Sequence, residues 1–273
     1  MKRNQIRICV LRVGGTNCDA ETRRALEELG VQAETLHLRE MDKNRKLMQY
    51  NAMVLPGGFS YGDYVRAGAI LAKRIQTRLG DQLKAFVEEK RPILGICNGF
   101  QVLVEAGILP GFRGISSQPQ AALATNLPTG YNCRWGYVKH VNRGKCIFTQ
   151  HIPRSKVLRI PVAHSEGRFM FAKERQKEYL ERLYKNDQLV FRYCDKNGEY
   201  AEGAFPINPN SSFHDIGGIC NPEGTILGLM PHPERAFYWW QQPDWTAQEK
   251  MPRFGDGKII FENLVEYLIK HGD

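Results

Sequence analysis

The sequence predicts an α/β fold in which a largely parallel sheet is covered by helices on both faces and carries added antiparallel strands. Three observations support this prediction. Short, unbroken apolar runs rich in β-branched residues alternate with segments of helical spacing between residues 6 and 106. Glycine-containing turns separate the two kinds of segment. From residue 133 onward the segments become shorter and alternate polar with apolar positions, which is typical of antiparallel strands.

The first part of the chain repeats a pattern of strand, turn and helix. Residues 6–13 are predicted to form a strand, residues 14–17 break it with two glycines, and residues 19–29 form a helix that Gly30 closes. The other strands of this part are predicted at residues 33–38, 52–55 and 93–96, and its other helices at residues 67–87 and 99–106. Active sites in such sheets lie at the carboxyl ends of the strands, so functional residues are expected there.

The second part of the chain is expected to extend the same sheet. Residues 133–203 contain short alternating segments, such as 157–162 and 189–193, which predict antiparallel strands. Residues 217–230 predict two short strands, and residues 259–271 predict an amphipathic C-terminal helix. No internal repeat or low-complexity linker interrupts the sequence, so residues 1–273 are expected to form a single domain.

The composition is that of a globular protein, with 42% hydrophobic and 25% charged residues. A net charge of +9 would fit nucleic-acid binding, but the basic residues are interspersed with acidic ones and no nucleic-acid motif accompanies them. A basic surface facing solvent or an acidic partner explains the charge better, and no segment reaches a membrane-spanning length. Seven cysteines without a pairing rhythm, and no signal peptide, predict a cytoplasmic location.

The strongest functional signal is the sequence Gly-Ile-Cys-Asn-Gly at residues 95–99, between a predicted buried strand and a predicted helix. It has the form of a nucleophile elbow with Cys97 as the nucleophile. The flanking glycines suit a sharp, strained turn, and the helix N-terminus would favour a thiolate. A buried structural cysteine is the alternative interpretation. The strand, the glycines and the helix together favour the catalytic one.

A thiolate nucleophile needs a base, and the base needs a group that orients it. Residues 230–234, Met-Pro-His-Pro-Glu, supply both, because the alternation places His232 and Glu234 on the same side of an extended segment. Two prolines keep this segment out of a helix, and the carboxylate can fix the tautomer of the imidazole. Alone, the motif is weak, since such residues are common in surface loops. Combined with Cys97, it predicts a catalytic triad.

A further element is the Pro-Gly-Gly sequence at residues 56–58, directly after a predicted strand. Acyl transfer passes through an oxyanion that backbone N–H groups can stabilise, and glycine lets the chain approach closely. The backbone N–H groups of Gly58 and Asn98 are therefore the predicted oxyanion donors. A plain strand-terminating turn explains residues 56–58 nearly as well.

Other ligand sites are not supported by the sequence. A structural zinc site is not expected, because the candidate ligands are irregularly spaced and no C-x-x-C pair accompanies them; these candidates are Cys133, His140, Cys146 and His151. Gly14 and Gly15 lack the fuller dinucleotide-binding pattern. Cys9, Cys18, Cys194 and Cys220 are interpreted most simply as core or near-surface thiols.

Five sequence blocks occur in order along nearly the whole chain: GGTNCD (14–19), PGGFSYGD (56–63), GICNGFQ (95–101), PVAHSEGR (161–168) and GLMPHPER (228–235). In these blocks the chain resembles class I glutamine amidotransferases, and among them the glutaminase subunits of phosphoribosylformylglycinamidine synthase. The resemblance implies the fold of that class and a reaction in which Cys97, His232 and Glu234 hydrolyse glutamine to glutamate and ammonia. It further implies that the ammonia converts formylglycinamide ribonucleotide to formylglycinamidine ribonucleotide in purine biosynthesis.

The same resemblance implies a set of substrate contacts and partners. Gln101, with the backbone near His164 and Ser165, would help to hold the substrate glutamine. The chain itself would need no cofactor or metal, since ATP and Mg²⁺ would bind a larger synthetase subunit. A small accessory subunit is a further expected partner.

The chain departs from the family pattern at three places. Ser165 stands where a glycine is expected, and residues 208–212 carry a serine in place of the usual glycine. Residues 237–257 contain three tryptophans and are longer than the corresponding segment of many relatives. This family-variable insertion is either a partner-docking element or a surface elaboration.

Two other functions compete with glutaminase activity. Another cysteine hydrolase of the α/β class would share the elbow, but in that class the acid precedes the histidine by a long stretch, whereas Glu234 follows His232 by two residues. A non-enzymatic binding subunit could keep the fold, although the intact triad argues against it.

Overall fold

A computed structural model describes residues 1–41, 46–247 and 251–271. The strands are β1 (Arg7–Arg12), β2 (Gln32–His37), β3 (Ala52–Leu55), β4 (Ile93–Ile96), β5 (Ala122–Ala124), β6 (Asn132–His140), β7 (Val157–His164), β8 (Arg168–Met170), β9 (Leu189–Cys194), β10 (Ile216–Cys220) and β11 (Ile226–Leu229). The α-helices are α1 (Asp19–Glu28), α2 (Leu38–Met41), α3 (Ala69–Glu88), α4 (Asn98–Glu105), α5 (Gln176–Lys185) and α6 (Lys258–His271). Short 3₁₀ helices span Arg3–Gln5, Leu47–Gln49, Ser60–Asp63, Lys173–Arg175, Phe213–Asp215, Pro233–Ala236 and Trp239–Gln241.

A nine-stranded sheet, in the order β2-β1-β3-β4-β11-β10-β9-β6-β7, forms the centre of the fold. The strands from β2 to β11 are parallel to their neighbours, and each pair from β11 to β7 is antiparallel. Strands β5 and β8 form a separate antiparallel ribbon. The predicted α/β class with added antiparallel strands is confirmed.

Helices cover both faces of the parallel part because the chain reverses direction across the sheet. In the sheet, β2 lies on one side of β1, whereas β3 and then β4 lie on its other side. The connections β1–β2 and β3–β4 therefore run in opposite directions across the sheet. Crossover connections are right-handed, so α1 and α3 lie on opposite faces. α1 packs on β1 and β2, whereas α3 packs against α4, which covers β3, β4 and β11. With both faces covered, β3, β4 and β11 are buried throughout, which explains their unbroken apolar sequences.

The register of the three central strands brings their carboxyl ends together. Leu55 of β3 pairs with Gly95 of β4, and Leu229 of β11 pairs with Ile96. The segments that follow these strands therefore emerge side by side at one edge of the sheet.

Some predicted boundaries and elements differ from the structure. The helix predicted at residues 67–87 begins at Ala69, because Gly68 is left-handed with φ 78° and ends the preceding turn. Helix α5 lies within residues 133–203, where only strands were expected. Its apolar residues Tyr179, Leu180, Leu183 and Tyr184 do follow helical spacing, and this pattern was overlooked among the neighbouring strand-like segments. The short elements α2, β5 and β8 were also not predicted.

The C-terminal part packs against α1. Helix α6 contacts α1, and the Tyr238 ring stacks on the Trp240 ring within the tryptophan-containing segment. Residues 248–250 of the predicted insertion lie outside the described residues.

None of the described helices is both long and apolar enough to cross a membrane.

Two glycines allow a direct test of how closely the elbow packs on the sheet. A Cβ at Gly99 would lie 1.9 Å from the Leu55 carbonyl oxygen, whereas a Cβ at Gly80, within α3, would meet nothing within 4 Å. Gly99→Ala should therefore lower the free energy of unfolding by about 1–3 kcal/mol or more, as overpacking does. Gly80→Ala should raise it by about 0.5–1 kcal/mol.

Denaturant unfolding of the two variants and the parent measures both effects. Each variant adds one methyl group, so Gly80→Ala controls for the methyl itself. Equal effects of the two substitutions would contradict the close packing of the elbow on β3.

Candidate active site

Cys97 lies between β4 and α4 with a backbone conformation that is rare for a residue with a side chain. Its φ is 50° and its ψ is −104°, and it occupies the N-cap position of α4. A Cβ at Gly95 would lie 2.8 Å from the Gly99 backbone. The turn is therefore too tight for larger residues at its flanks, as expected for a nucleophile elbow.

Two contacts hold Cys97 in this turn. Its backbone N–H donates to the Leu229 carbonyl at 2.8 Å, which ties the elbow to β11. Its Sγ lies 3.6 Å from the Ala163 carbonyl oxygen, at the end of β7. The side chain is only 4% exposed, so the thiol lies at the bottom of the site.

His232 and Glu234 form a buried pair beside the elbow. The His232 Nδ1 lies 2.6 Å from Glu234 Oε1, and the His232 backbone N–H donates to the Pro161 carbonyl at 2.8 Å. Nδ1 thus faces the carboxylate and Nε2 is left for another group. Within the described part of the chain, His232 Nε2 and Glu234 Oε2 have no hydrogen-bond partner.

The electrostatic surroundings favour a protonated His232. Burial lowers its pKa, but the Glu234 carboxylate and the interaction with Cys97 outweigh burial and raise the pKa well above its ordinary value. A protonated imidazole next to the nucleophile can donate a proton to a leaving group, as thiolate catalysis requires.

The segment after β3 passes directly against the imidazole. A Cβ at Gly57 would lie 2.6 Å from His232 Cε1, and a Cβ at Gly58 would lie 2.6 Å from the Asn17 nitrogen. Gly58 has φ 145°, which a residue with a side chain rarely adopts. Among the described residues, the Gly58 and Asn98 N–H groups donate to no acceptor. This arrangement fits an oxyanion hole, and the assignment of the two donors stays a prediction.

Gln101 links the elbow helix to the loop after β7. Its Nε2 donates to the Glu166 carbonyl, and its Oε1 accepts from Asn98 Nδ2 at 2.9 Å. Gln101, which is predicted to contact the substrate, therefore lies beside the elbow. Both the nitrogen and the oxygen of its side-chain amide are hydrogen-bonded. Its contact with substrate stays a prediction.

His164 lies beneath the site rather than open to it. Its Nδ1 lies 3.2 Å from Asn126 Oδ1 and its Nε2 lies 3.4 Å from Asn210 Nδ2. Burial, followed by the charge of His232, lowers its pKa to about 3, so the imidazole is neutral. Asn126 N–H also donates to the Ser165 carbonyl at 2.8 Å. The His164 side chain thus supports the loop, and the substrate contacts through the backbone near His164 and Ser165 stay predictions.

Cys18 is a component of the site that the sequence did not indicate. Its Sγ lies 3.8 Å from His232 Nδ1 and 3.2 Å from an Arg235 guanidinium nitrogen. Arg235 also pairs with Glu21 at 3.1 Å. The start of α1 is thereby joined to the segment that carries His232. In the sequence, the only indications that Cys18 belongs to the site were its position in the GGTNCD block and the position of Arg235 directly after Glu234.

Two aromatic rings border the site on the solvent side. Phe59 is 41% exposed and Tyr131 is 53% exposed, and their ring centroids lie 6.0 Å apart. Partial burial, followed by the charge of Cys97, raises the pKa of the Tyr131 hydroxyl. Tyr131 therefore lies close enough to Cys97 for the two side chains to interact electrostatically.

Asp63 and Glu166 place two carboxylates near Gln101. Asn98 Nδ2 lies 3.4 Å from Asp63 Oδ1, and the Ala67 N–H donates to Glu166 Oε2 at 3.0 Å. Burial, followed by the charge of Glu166, raises the pKa of Asp63 to about 6. An unfolded aspartate has a pKa of about 3.9, so the folded protein holds the extra proton between about pH 4 and pH 6.

Asp63→Asn should therefore make the stability of the protein less dependent on pH. In the parent, the contribution of Asp63 to stability falls as pH rises from about 4 to about 6, because this residue ionises first in the unfolded chain. Relative to the parent, Asp63→Asn should be more stable at pH 7–8, and this advantage should shrink as pH falls through 6 toward 4. Thermal unfolding across this pH range measures the stability of both proteins.

Asparagine also tolerates the positive φ of residue 63. Any backbone effect of the substitution adds an offset to the stability that does not vary with pH, so only the pH-dependent part of the difference is diagnostic. An advantage that stays constant with pH would contradict the raised pKa.

Comparison with known proteins supplies the family. Residues 5–268 match the family described as CobB/CobQ-like glutamine amidotransferase domain. The phosphoribosylformylglycinamidine synthase subunit PurQ of Archaeoglobus fulgidus is 45% identical over 280 residues, covering 99% of this chain and 100% of the relative. PurQ of Methanocaldococcus jannaschii is 40% identical over 262 residues, covering 96% of this chain and 98% of the relative.

Solved structures agree with these relatives. PurLQS from Thermotoga maritima matches with a TM-score of 0.71 and 31% identity, covering 97% of this chain and 99% of the matched one. A glutamine amidotransferase from the same organism, at 17% identity and a TM-score of 0.54, shares the fold. The resemblance seen in the five sequence blocks is thus confirmed, and the chain belongs to the glutamine amidotransferases, within the family of PurQ subunits of phosphoribosylformylglycinamidine synthase.

Proposed function

We propose that this chain hydrolyses glutamine to glutamate and ammonia with a Cys97–His232–Glu234 triad. The ammonia then passes to an ATP-dependent synthetase subunit that converts formylglycinamide ribonucleotide to formylglycinamidine ribonucleotide. The observation that carries the proposal is a strained cysteine at a helix N-terminus, interacting with a buried imidazole that a carboxylate orients at 2.6 Å.

The first half of the reaction uses all three residues. The Cys97 thiolate attacks the carboxamide carbon of glutamine, and the Gly58 and Asn98 N–H groups stabilise the resulting oxyanion. His232 gives its Nε2 proton to the departing nitrogen, so ammonia leaves and a glutamyl thioester remains on Cys97. Glu234 keeps the imidazole in the tautomer and position that this transfer needs.

The second half regenerates the enzyme. His232 Nε2, now unprotonated, takes a proton from a water molecule that attacks the thioester carbon. The same N–H groups stabilise the second oxyanion, the C–S bond breaks, and glutamate leaves. Because the thiol is buried, bulk water does not reach it freely, and the hydrolysis uses a water molecule that enters the site.

The names of the relatives support the choice of partner. The PurQ relatives are subunits of a synthase, and the Thermotoga maritima match is PurLQS. By analogy, this chain works with a larger synthetase subunit, which binds ATP and Mg²⁺, and with a small accessory subunit. The net charge of +9 suits an acidic face on such a partner.

Glutamate release tests the proposal. The purified chain is incubated with glutamine, alone and with its synthetase and accessory subunits, and glutamate is measured. We expect release that rises in the complex with ATP and formylglycinamide ribonucleotide. Absence of release under every condition would favour a non-catalytic binding subunit. Release of other acyl groups at a higher rate than glutamate would favour a general cysteine hydrolase.

A further inference from the structure

Cys18, His232 and Glu234 place three metal-binding atoms in one buried cluster. The Cys18 Sγ, His232 Nδ1 and a Glu234 carboxylate oxygen all lie within 4.8 Å of one another. The direct separations are 3.8 Å for Sγ to Nδ1 and 2.6 Å for Nδ1 to Oε1. The proposed reaction gives Cys18 no part, so its position against the imidazole is unexplained by catalysis.

One of these two separations matches that around a tetrahedral zinc ion, and the other would have to widen. Bonds of about 2.3 Å to sulfur and about 2.0–2.1 Å to nitrogen or oxygen require separations of about 3.6 Å for S to N and about 3.4 Å for N to O. The Cys18–His232 separation is already within a few tenths of an ångström of this value. The His232–Glu234 pair would have to open by somewhat less than an ångström, and a water molecule could take the fourth position.

The surroundings of the cluster also suit a cation. Glu234 Oε2 is buried and has no hydrogen-bond partner among the described residues, so one carboxylate oxygen is available. A thiolate and a carboxylate together balance the two charges of a divalent ion. Arg235 donates to Cys18 Sγ at 3.2 Å, the kind of hydrogen bond that supports a thiolate ligand, and its own charge is balanced by Glu21.

We propose that Cys18, His232 and Glu234 form a binding site for a soft divalent cation such as Zn²⁺, and that occupancy of this site switches the glutaminase off. Binding rests on the geometry of the three ligands, whereas the inhibition rests on the proposed function. The cation here is an inhibitory ligand and takes no part in catalysis.

Binding exchanges protons for the metal without any transfer of electrons. The Cys18 thiol loses its proton on binding, because the thiolate is the form that ligates a metal. The His232 Nδ1 proton is also released, and bonds form from the metal to Sγ, Nδ1 and a Glu234 oxygen. The affinity should therefore rise with pH, because the metal competes with protons.

The inhibition follows from the tautomer of the imidazole. A metal on Nδ1 leaves the neutral ring with its proton on Nε2. Nε2 is then a donor only and can no longer accept a proton from Cys97 or from water. The metal also takes Glu234 away from its role as the orienting carboxylate. The base of the triad is thus disabled without contact between the metal and Cys97.

The test separates metal binding from catalysis. The parent protein for the test carries Cys97→Ser and Cys133→Ser, which removes the nucleophile and the exposed thiol as competing ligands. It is titrated with Co²⁺, whose thiolate charge-transfer absorption reports a Co–S bond, and then with Zn²⁺. Adding Cys18→Ser should remove the charge-transfer band and weaken Zn²⁺ binding by at least about 10–100-fold, the scale for losing even a supporting partner of a ligand. Adding Cys194→Ser, which removes a thiol outside the cluster, should leave both unchanged.

A second substitution guards against a folding artefact. A variant of the test parent that carries His232→Ala instead of Cys18→Ser should also lose metal binding. Circular dichroism should show that both variants are folded. If the Cys18→Ser variant keeps the band and the affinity, the proposed ligand is wrong. Binding by wild type that disappears with Cys97→Ser alone would instead place the metal between Cys97 and Nε2, and would overturn the proposal. Because none of these binding readouts uses glutamine, failure of the glutaminase proposal would leave the metal result interpretable. Inhibition is measured separately as glutamate release by the wild type, which Zn²⁺ should suppress and a chelator should restore; full release with the site occupied would overturn the switch.

Discussion

Replacing Cys97 with alanine should abolish glutamine-dependent synthesis by the assembled complex while leaving ammonia-dependent synthesis intact. The substitution removes the only atom that forms a covalent bond to the substrate in the proposed reaction. Loss of a triad nucleophile lowers turnover by about 10⁶-fold. Free ammonia can reach the synthetase site without this chemistry, so an ammonium salt should restore product formation. Product is measured with glutamine or with ammonium as nitrogen source.

Cys133→Ala provides the matched control, because it also converts a cysteine to alanine but at an exposed position. It should retain activity with both nitrogen sources. Association of each variant with the synthetase must be verified, for example by co-sedimentation. Loss of ammonium-supported synthesis in a folded, associated Cys97→Ala complex would place Cys97 in the acceptor reaction or in subunit coupling, and the glutaminase assignment would be withdrawn.

Replacing His232 with alanine should have an effect close to that of Cys97→Ala, whereas Glu234→Ala should be milder. Without His232 the thiol has no base and the departing nitrogen receives no proton, so turnover should again fall by about 10⁶-fold. Glu234 acts on His232 and makes no bond to substrate, so its loss should cost about 10⁴-fold. Glutamate release under saturating glutamine gives the ranking.

The double variant tests whether the two residues act as a unit. His232→Ala combined with Glu234→Ala should be no slower than His232→Ala alone, because Glu234 has no role once the imidazole is gone. Additive losses would show an independent role for Glu234. Since both residues are buried, unfolding of each variant must be measured beside its activity. A Glu234→Ala loss equal to that of His232→Ala, in a folded protein, would contradict the orienting role.

The sequence by itself determined the fold class and the local parts of the site. Parallel strands with both faces covered must be apolar throughout, so β1, β3 and β4 were recognisable as continuous apolar runs. The elbow at Cys97 was recognisable because a sharp strand-to-helix turn requires glycine at both flanks. His232 and Glu234 are two residues apart, so their proximity is also a local property, but the predicted extended segment was wrong: Glu234 lies in the 3₁₀ helix Pro233–Ala236, whose first turn tolerates proline, and His232 is its N-cap.

Tertiary structure alone decided which distant residues complete the site. Cys18 contacts His232 across 214 positions of sequence, and Gln101 reaches the Glu166 carbonyl across 65. Such contacts depend on strand order and register. β4 and β11 are neighbours in the sheet although more than one hundred residues separate them in the sequence. The same holds for the His164 side chain, for which the sequence predicted no partner and which the fold places against Asn126 and Asn210. Periodicity and turn chemistry act over a few residues, and they carry no information about which side chains meet when separate strands align.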